Sequence, residues 1–92
     1  MDFDALPGGD LVRQGLIDLD RGVESVESLL VAIGAPRLRE GGIEVPEQPI
    51  SRPEHRLYEV LANTDPDSAH GRYNALIRRL VSFERSLGCG AR

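Results

Sequence analysis

The last third of the chain carries a regular apolar repeat, and this repeat constrains the fold more than any other feature. Its members are separated by alternating steps of four and three residues: Ala69, Tyr73, Leu76, Leu80, Phe83 and Leu87. This is the a/d spacing of a heptad, which places all of them on one face of a helix. Ile77 and Val81 widen that face. We therefore predict a long helix over residues 66–87, ended by Gly88.

A second apolar stripe occupies the first third of the chain. The apolar residues between positions 11 and 33 keep a single helical phase. Within this stretch, Gly22 has the character of a helix stop and Ser25 that of a new N-cap. We predict two helices, over 11–21 and 26–33, although one continuous helix would keep the same phase. The second is apolar nearly all round, which indicates a central helix or one covered by a partner.

The middle of the chain is rich in helix-breaking residues. Gly34 is expected to end the second helix, and the next proline to open a short extra turn over 36–40. Residues 41–50 contain two glycines and two prolines, which predict an extended connector. Ser51 begins a capping box with a glutamate three residues later, so a third helix is predicted over 52–63.

These elements define an all-α protein, a small helical bundle of four principal helices with one short extra turn. A chain of this length usually forms one domain, here residues 1–92, with flexible tails at 1–9 and 88–92. The last helix is expected to be the spine of the bundle. Gly15 and Gly22 lie in the first apolar stripe, where a missing side chain would let another backbone approach closely.

Charge is unevenly distributed along the chain. The net charge is −4. Residues 1–67 hold fourteen acids and six arginines, whereas residues 68–92 hold one acid and five arginines. An acidic front and a basic back result, which favours orientation of a partner by charge. All basic side chains are arginine, and we attribute this to codon bias in a GC-rich, bacterial genome.

Several features predict a cytoplasmic protein. The single cysteine, Cys89, allows no intramolecular disulfide, which fits a reducing compartment. The longest apolar run, residues 29–33, is far shorter than the ~20 residues that a membrane span needs. The N-terminus is acidic and lacks the basic region of a secretory signal. We expect no membrane association.

Chemically reactive side chains are few. Two groups of potential metal ligands are close in sequence: Asp20, Glu24 and Glu27, and Asp65, Asp67 and His70. Calcium sites usually take their oxygens from a turning loop rather than a straight helix. Capping and the helix dipole already account for the aspartates of the second group.

Neither His70 nor His55 has an evident acid–base partner. No phosphate loop or nucleophile elbow is present. We therefore expect no enzyme, no catalytic residue, no cofactor and no metal.

The leading functional hypothesis is a protein-interaction or oligomerisation module. The two apolar stripes provide more hydrophobic surface than one small chain easily covers. The partner would be a second copy of the chain, forming a homodimer, or another protein for which this chain is an accessory subunit. The hypothetical interface consists of five residues of the heptad repeat: Tyr73, Leu76, Leu80, Phe83 and Leu87. The same side chains are equally suited to the core of a single subunit.

The alternative hypothesis is a nucleic-acid-associated regulator. Four arginines of the last predicted helix would contact phosphates: Arg72, Arg78, Arg79 and Arg85. The overall acidity of the chain weighs against this hypothesis, because nucleic-acid-binding domains are usually basic.

Overall fold

A computed structural model of the chain, which describes residues 5–47 and 50–90, consists of four helices joined by short connections. They are α1 (Gly9–Asp20), α2 (Val26–Glu40), α3 (Pro53–Thr64) and α4 (Ala69–Gly90). The described residues contain no strand. The predicted all-α bundle of four principal helices is therefore confirmed.

Gly22 separates α1 from α2, as predicted. It lies in the left-handed region at φ 71°, a conformation that glycine adopts at little cost. Its N–H donates to the carbonyl of Leu19 at 3.1 Å, and the N–H of Val23 donates to that of Asp18 at 2.8 Å. This pair of bonds is a Schellman motif, which satisfies the last carbonyls of α1 and turns the chain back.

Ser25 is the N-cap of α2, which also confirms the prediction. Its hydroxyl accepts from the N–H of Ser28 at 3.0 Å, and its own N–H donates to the hydroxyl of Ser28 at 2.8 Å. Ser28 thus takes the place of the usual glutamate in a capping box. The Ser25 hydroxyl donates in turn to Asp18 at 2.6 Å, which ties the end of α1 to the start of α2.

The predicted end of the second helix is wrong. Instead of stopping near residue 33 and restarting as a turn over 36–40, α2 continues unbroken to Glu40. Pro36 lies inside the helix and removes one backbone hydrogen bond, a change that typically costs ~3 kcal/mol. The continued helix carries Leu38 to a fully buried position, and the connector that follows brings further apolar side chains to the core. Burial of this whole segment outweighs the local cost.

The end of α2 has the same left-handed glycine and the same type of backbone hydrogen bond as the end of α1. Gly42 is left-handed at φ 93°, and the N–H of Ile43 donates to the carbonyl of Leu38 at 3.0 Å. Residues 43–47 form no regular element, in agreement with the predicted connector. Ile43 and Val45 alternate along it and are both 8% exposed, so the connector closes one side of the core.

The third helix begins one residue later than predicted and with a different cap. Its N-cap is Arg52, left-handed at φ 54°, and no side chain caps it. The capping role predicted for Ser51 is therefore wrong, because Ser51 lies one residue too far from the helix. Pro53 occupies the first turn as predicted, and its ring disfavours the right-handed helical conformation at Arg52.

The bounds of α4 also differ from the prediction. Residues 66–68 form a turn, and the helix begins at Ala69 rather than at 66. Asp65 still accepts the N–H of Asp67 at 3.2 Å, as expected of a cap. At the other end the predicted stop at Gly88 is wrong, because a glycine inside a helix costs only ~1 kcal/mol relative to alanine and does not by itself end it.

The predicted tails and connector lie partly outside the described residues. Residues 5–8 form turns that place Leu6 against the core. Residues 1–4, residues 91–92, residues 48–49 and the side chain of Cys89 lie outside the description.

The core is organised around α2, not around α4 as expected. Leu29, Leu30 and Val31 follow one another in sequence, point in different directions and are each fully buried. They are enclosed because α2 contacts α1, α3 and α4. Of the two predicted alternatives, a central helix or one covered by a partner, these three residues show the first, since the chain itself covers them.

Gly15 sets the distance between α1 and α2. A Cβ atom at this position would overlap the carbonyl oxygen of Glu27 and the Cγ2 of Val31. The predicted close approach is therefore confirmed at Gly15. It is wrong for Gly22, because a Cβ atom there would have no neighbour within 4 Å from another part of the described chain. That glycine is needed for its backbone conformation.

We expect Gly15→Ala to lower the free energy of unfolding by about 1–3 kcal/mol, because overpacking a tight helix contact outweighs the gain in helix propensity. Gly71→Ala is the matched control, since Gly71 lies in α4 with open space around it. This variant should gain ~1 kcal/mol. Urea unfolding followed by circular dichroism measures both. Equal stabilisation of the two variants would contradict the close α1–α2 contact.

Candidate protein-binding groove

The heptad repeat of α4 forms part of the core of the single chain. Leu80, Phe83 and Leu87 are 3%, 0% and 2% exposed. Tyr73 and Leu76 are partly buried and pack against the same core. Leu80, Phe83 and Leu87 therefore offer almost no surface to a partner. Tyr73 and Leu76 offer only part of their side chains. A docking surface on α4 must therefore be built mainly from other residues.

The four arginines of α4 do not form one surface. Helical spacing places Arg72 and Arg79 on one side of the helix and Arg78 and Arg85 on another. Arg79 donates to a carboxylate oxygen of Asp10 at 3.1 Å. This contact ties α4 to the start of α1.

Glu24, one member of the first group of potential metal ligands, lies in the connection between α1 and α2 and has a partner within the chain. Arg56 of α3 binds the Glu24 carboxylate through two nitrogens, at 2.7–3.1 Å. These hydrogen bonds, together with the charge of Arg56, lower the pKa of Glu24. In the second group, Asp65 acts as a cap and His70 contacts Asn74 at 3.2 Å. Across the described residues, no three potential metal ligands come together.

A groove lies on the surface between α2 and α4. Two adjoining cavities of about 590 and 320 Å³ form it. The residues common to both are Arg37, Val81 and Glu84. Ile33 on α2 and Ile77 on α4 add aliphatic walls, and both are only partly buried. The smaller cavity therefore has aliphatic walls, whereas the larger one is lined mainly by charged residues: Arg37, Glu40, Glu84 and Arg85.

Gly34 creates the close packing beneath the groove. A Cβ atom here would come within 2.9 Å of a Leu80 methyl carbon and 3.0 Å of a Glu84 carboxylate oxygen. Because the first of these distances is shorter than real Cβ contacts and the second is tighter than most of them, a side chain at this position would require the ends of the Leu80 and Glu84 side chains to move. The absence of a side chain at Gly34 lets the Glu84 carboxylate lie against the α2 backbone.

Glu84 is unusual among the residues of the groove because its charged side chain is mostly buried. Its side chain is only 10% exposed, and the nearest cation is the Arg37 guanidinium, 4.0 Å away. No described residue donates a hydrogen bond to its carboxylate. Burial raises the pKa of Glu84, and the charge of Arg37 opposes this only in part. The carboxylate thus has unused acceptor capacity.

Neither the groove nor Glu84 was predicted from the sequence. The available signal was the position of Ile77 and Val81 at the edge of the heptad face, where they widen it beyond what a core contact requires. The depth of Glu84 had no such signal, because it depends on Gly34, which is fifty residues away in the sequence.

The chain matches no family model, no curated protein and no solved structure. None of the described helices combines the length and apolarity that crossing a membrane requires. The groove is therefore the feature from which a function is inferred.

We expect Glu84→Gln to change how stability depends on pH. The folded pKa of Glu84 lies above its ordinary value of 4.5, so ionisation disfavours the folded state. The wild-type protein should lose stability relative to the variant as pH rises from 4.5 through the raised pKa, and the difference should then stay constant. Urea unfolding of dilute protein at a series of pH values measures this.

Glu24→Gln is the control of opposite sign. Its lowered pKa means that the stability contributed by Glu24 is present above 4.5 and is lost as pH falls through the folded pKa. The wild-type protein should therefore gain stability relative to this variant as pH rises. A Glu84→Gln difference that is flat, or that follows the sign of Glu24→Gln, would contradict a carboxylate dominated by burial.

Proposed function

We propose that this chain is a non-enzymatic interaction module that forms a homodimer through the groove between α2 and α4. The observation that carries the proposal is the combination, in one groove, of partly exposed aliphatic walls with a buried carboxylate at the base. Aliphatic surface favours association because its removal from water is favourable. A second subunit would also enlarge the small core of a 92-residue chain.

The charges of the groove favour a second copy as the occupant. Arg37 and Arg85 contribute two cations, and Glu40 and Glu84 contribute two anions. A strongly basic partner would meet the arginines, and a strongly acidic one would meet the glutamates. A surface with the same balance of charge complements it best, and a twofold dimer brings two such surfaces together.

Nucleic acid binding has less support. The candidate arginines are divided between two faces of α4, one of them is paired with Asp10, and the net charge of the chain is −4. A nucleic-acid-binding surface is usually a continuous basic patch. Bound nucleic acid would be detected in the same experiment that measures the mass of the protein.

Val81→Glu should convert the dimer to a monomer, because it places a charge in the apolar wall of the groove. Ile17→Glu is the matched control. Ile17 is an aliphatic residue of α1, is 40% exposed and does not line the groove. Light scattering on a sizing column gives the mass of each protein, and circular dichroism checks that each remains helical.

Wild-type protein and Ile17→Glu should have the mass of a dimer, and Val81→Glu the mass of a folded monomer. A wild-type monomer at all concentrations would overturn the proposal, as would a Val81→Glu dimer as tight as the wild type. Absorbance at 260 and 280 nm, recorded in the same run, detects bound nucleic acid. A monomer that carries such a signal would favour the alternative.

A further inference from the structure

We infer that the Glu84 carboxylate is the binding point for a guanidinium supplied by the second copy, and that the donor is Arg85 of that copy. Twofold symmetry makes the contact reciprocal, so the dimer contains two such pairs. This inference rests on the proposed homodimer and identifies the residues that determine which partner the groove accepts.

The carboxylate provides the first part of the evidence. Nine-tenths of the Glu84 side chain is buried, yet no described residue donates a hydrogen bond to it. Buried carboxylates are normally paired and hydrogen-bonded, because an unpaired buried charge is costly. Arg37 forms an ion pair with Glu84 at 4.0 Å, but this pair includes no hydrogen bond and the Arg37 side chain is 74% exposed. The carboxylate oxygens still reach solvent, because no fully buried side-chain oxygen of the described residues lacks a hydrogen-bond partner, so a donor from a second chain can approach them.

Arg85 provides the second part. It lines the same groove as Glu84, is exposed, and makes no hydrogen bond or ion pair with the described residues. Arg79, by contrast, is already engaged with Asp10. A guanidinium is weakly hydrated and binds a carboxylate through two parallel hydrogen bonds, so it suits a partly buried site.

The contact would give the dimer specificity. An apolar groove alone would accept many aliphatic surfaces, whereas Glu84 favours one that brings a cation to the base of the groove. A partner with an anion or an aliphatic residue at that point would bury the carboxylate with only Arg37, 4.0 Å away, as its cation. A second copy of this chain carries the required arginine next to its own glutamate.

A charge exchange between two variants tests the pairing. Glu84→Arg alone and Arg85→Glu alone each place like charges opposite one another in the homodimer, so each should be a folded monomer. In an equimolar mixture of the two, every contact joins an arginine to a glutamate, so a heterodimer should form. Sedimentation velocity with one variant fluorescently labelled measures the mixture, and circular dichroism checks the folding of each variant.

Glu84→Gln provides a second, milder test that preserves side-chain size. Loss of two symmetry-related charge pairs should raise the dimer Kd about 100-fold. Adding Arg85→Gln to this variant should change the Kd little further, because the pairing is already lost. Additive effects of the two substitutions would overturn the inference, and so would single variants that dimerise as tightly as the wild type or a mixture without heterodimer.

The outcomes distinguish a wrong assignment of the charge pair from a wrong assignment of the interface. If the wild type dimerises and Val81→Glu abolishes dimerisation, but substitutions at Glu84 and Arg85 have no effect, the groove is the interface and the assigned pair is wrong. If the mixture of Glu84→Arg with Arg37→Glu forms the heterodimer instead, Arg37 is the donor and the assignment to Arg85 is overturned. A wild-type monomer overturns both.

Discussion

The burial of α2 on several sides is the constraint on which the rest of the structure depends. Three consecutive residues, Leu29, Leu30 and Val31, are fully buried, which requires other helices to pack on different faces of the same helix. Close packing is possible because Gly15 admits the α2 backbone to α1, and Gly34 admits Leu80 and Glu84 of α4. The connections between helices then need only reverse the direction of the chain.

Features of the fold that depend only on neighbouring residues were predicted correctly from the sequence. The stop at Gly22 and the cap at Ser25 depend on neighbouring residues alone, and both were predicted. The continuation of α2 through Pro36 was not, because it depends on the burial of Leu38 by distant parts of the chain. Propensity is a weak guide wherever tertiary packing opposes it.

The candidate site was likewise predicted only in part. The features set by local sequence were recognised, and those set by tertiary packing were not. The heptad positions were recognised, but a repeat that suits a core and an interface equally well does not distinguish between them, and Leu80, Phe83 and Leu87 proved to be buried within the chain. The groove arises where the neighbouring aliphatic residues of α2 and α4 meet. The pairing of helices that brings Gly34 beneath Glu84 is a tertiary feature, so the sequence alone did not reveal it. The Glu84 carboxylate lies in this groove 4.0 Å from Arg37 and accepts no hydrogen bond from the described residues.

The most direct test of the groove as an interface between copies is an NMR dilution series that follows the methyl groups of isoleucine and valine. We expect the signals of Ile33, Ile77 and Val81 to shift together as concentration rises, with one dissociation constant. The signal of Ile17, on the outer surface of α1, should not move. Shifts confined to Ile17 and to other residues outside the groove, or no shifts at any concentration, would contradict the account.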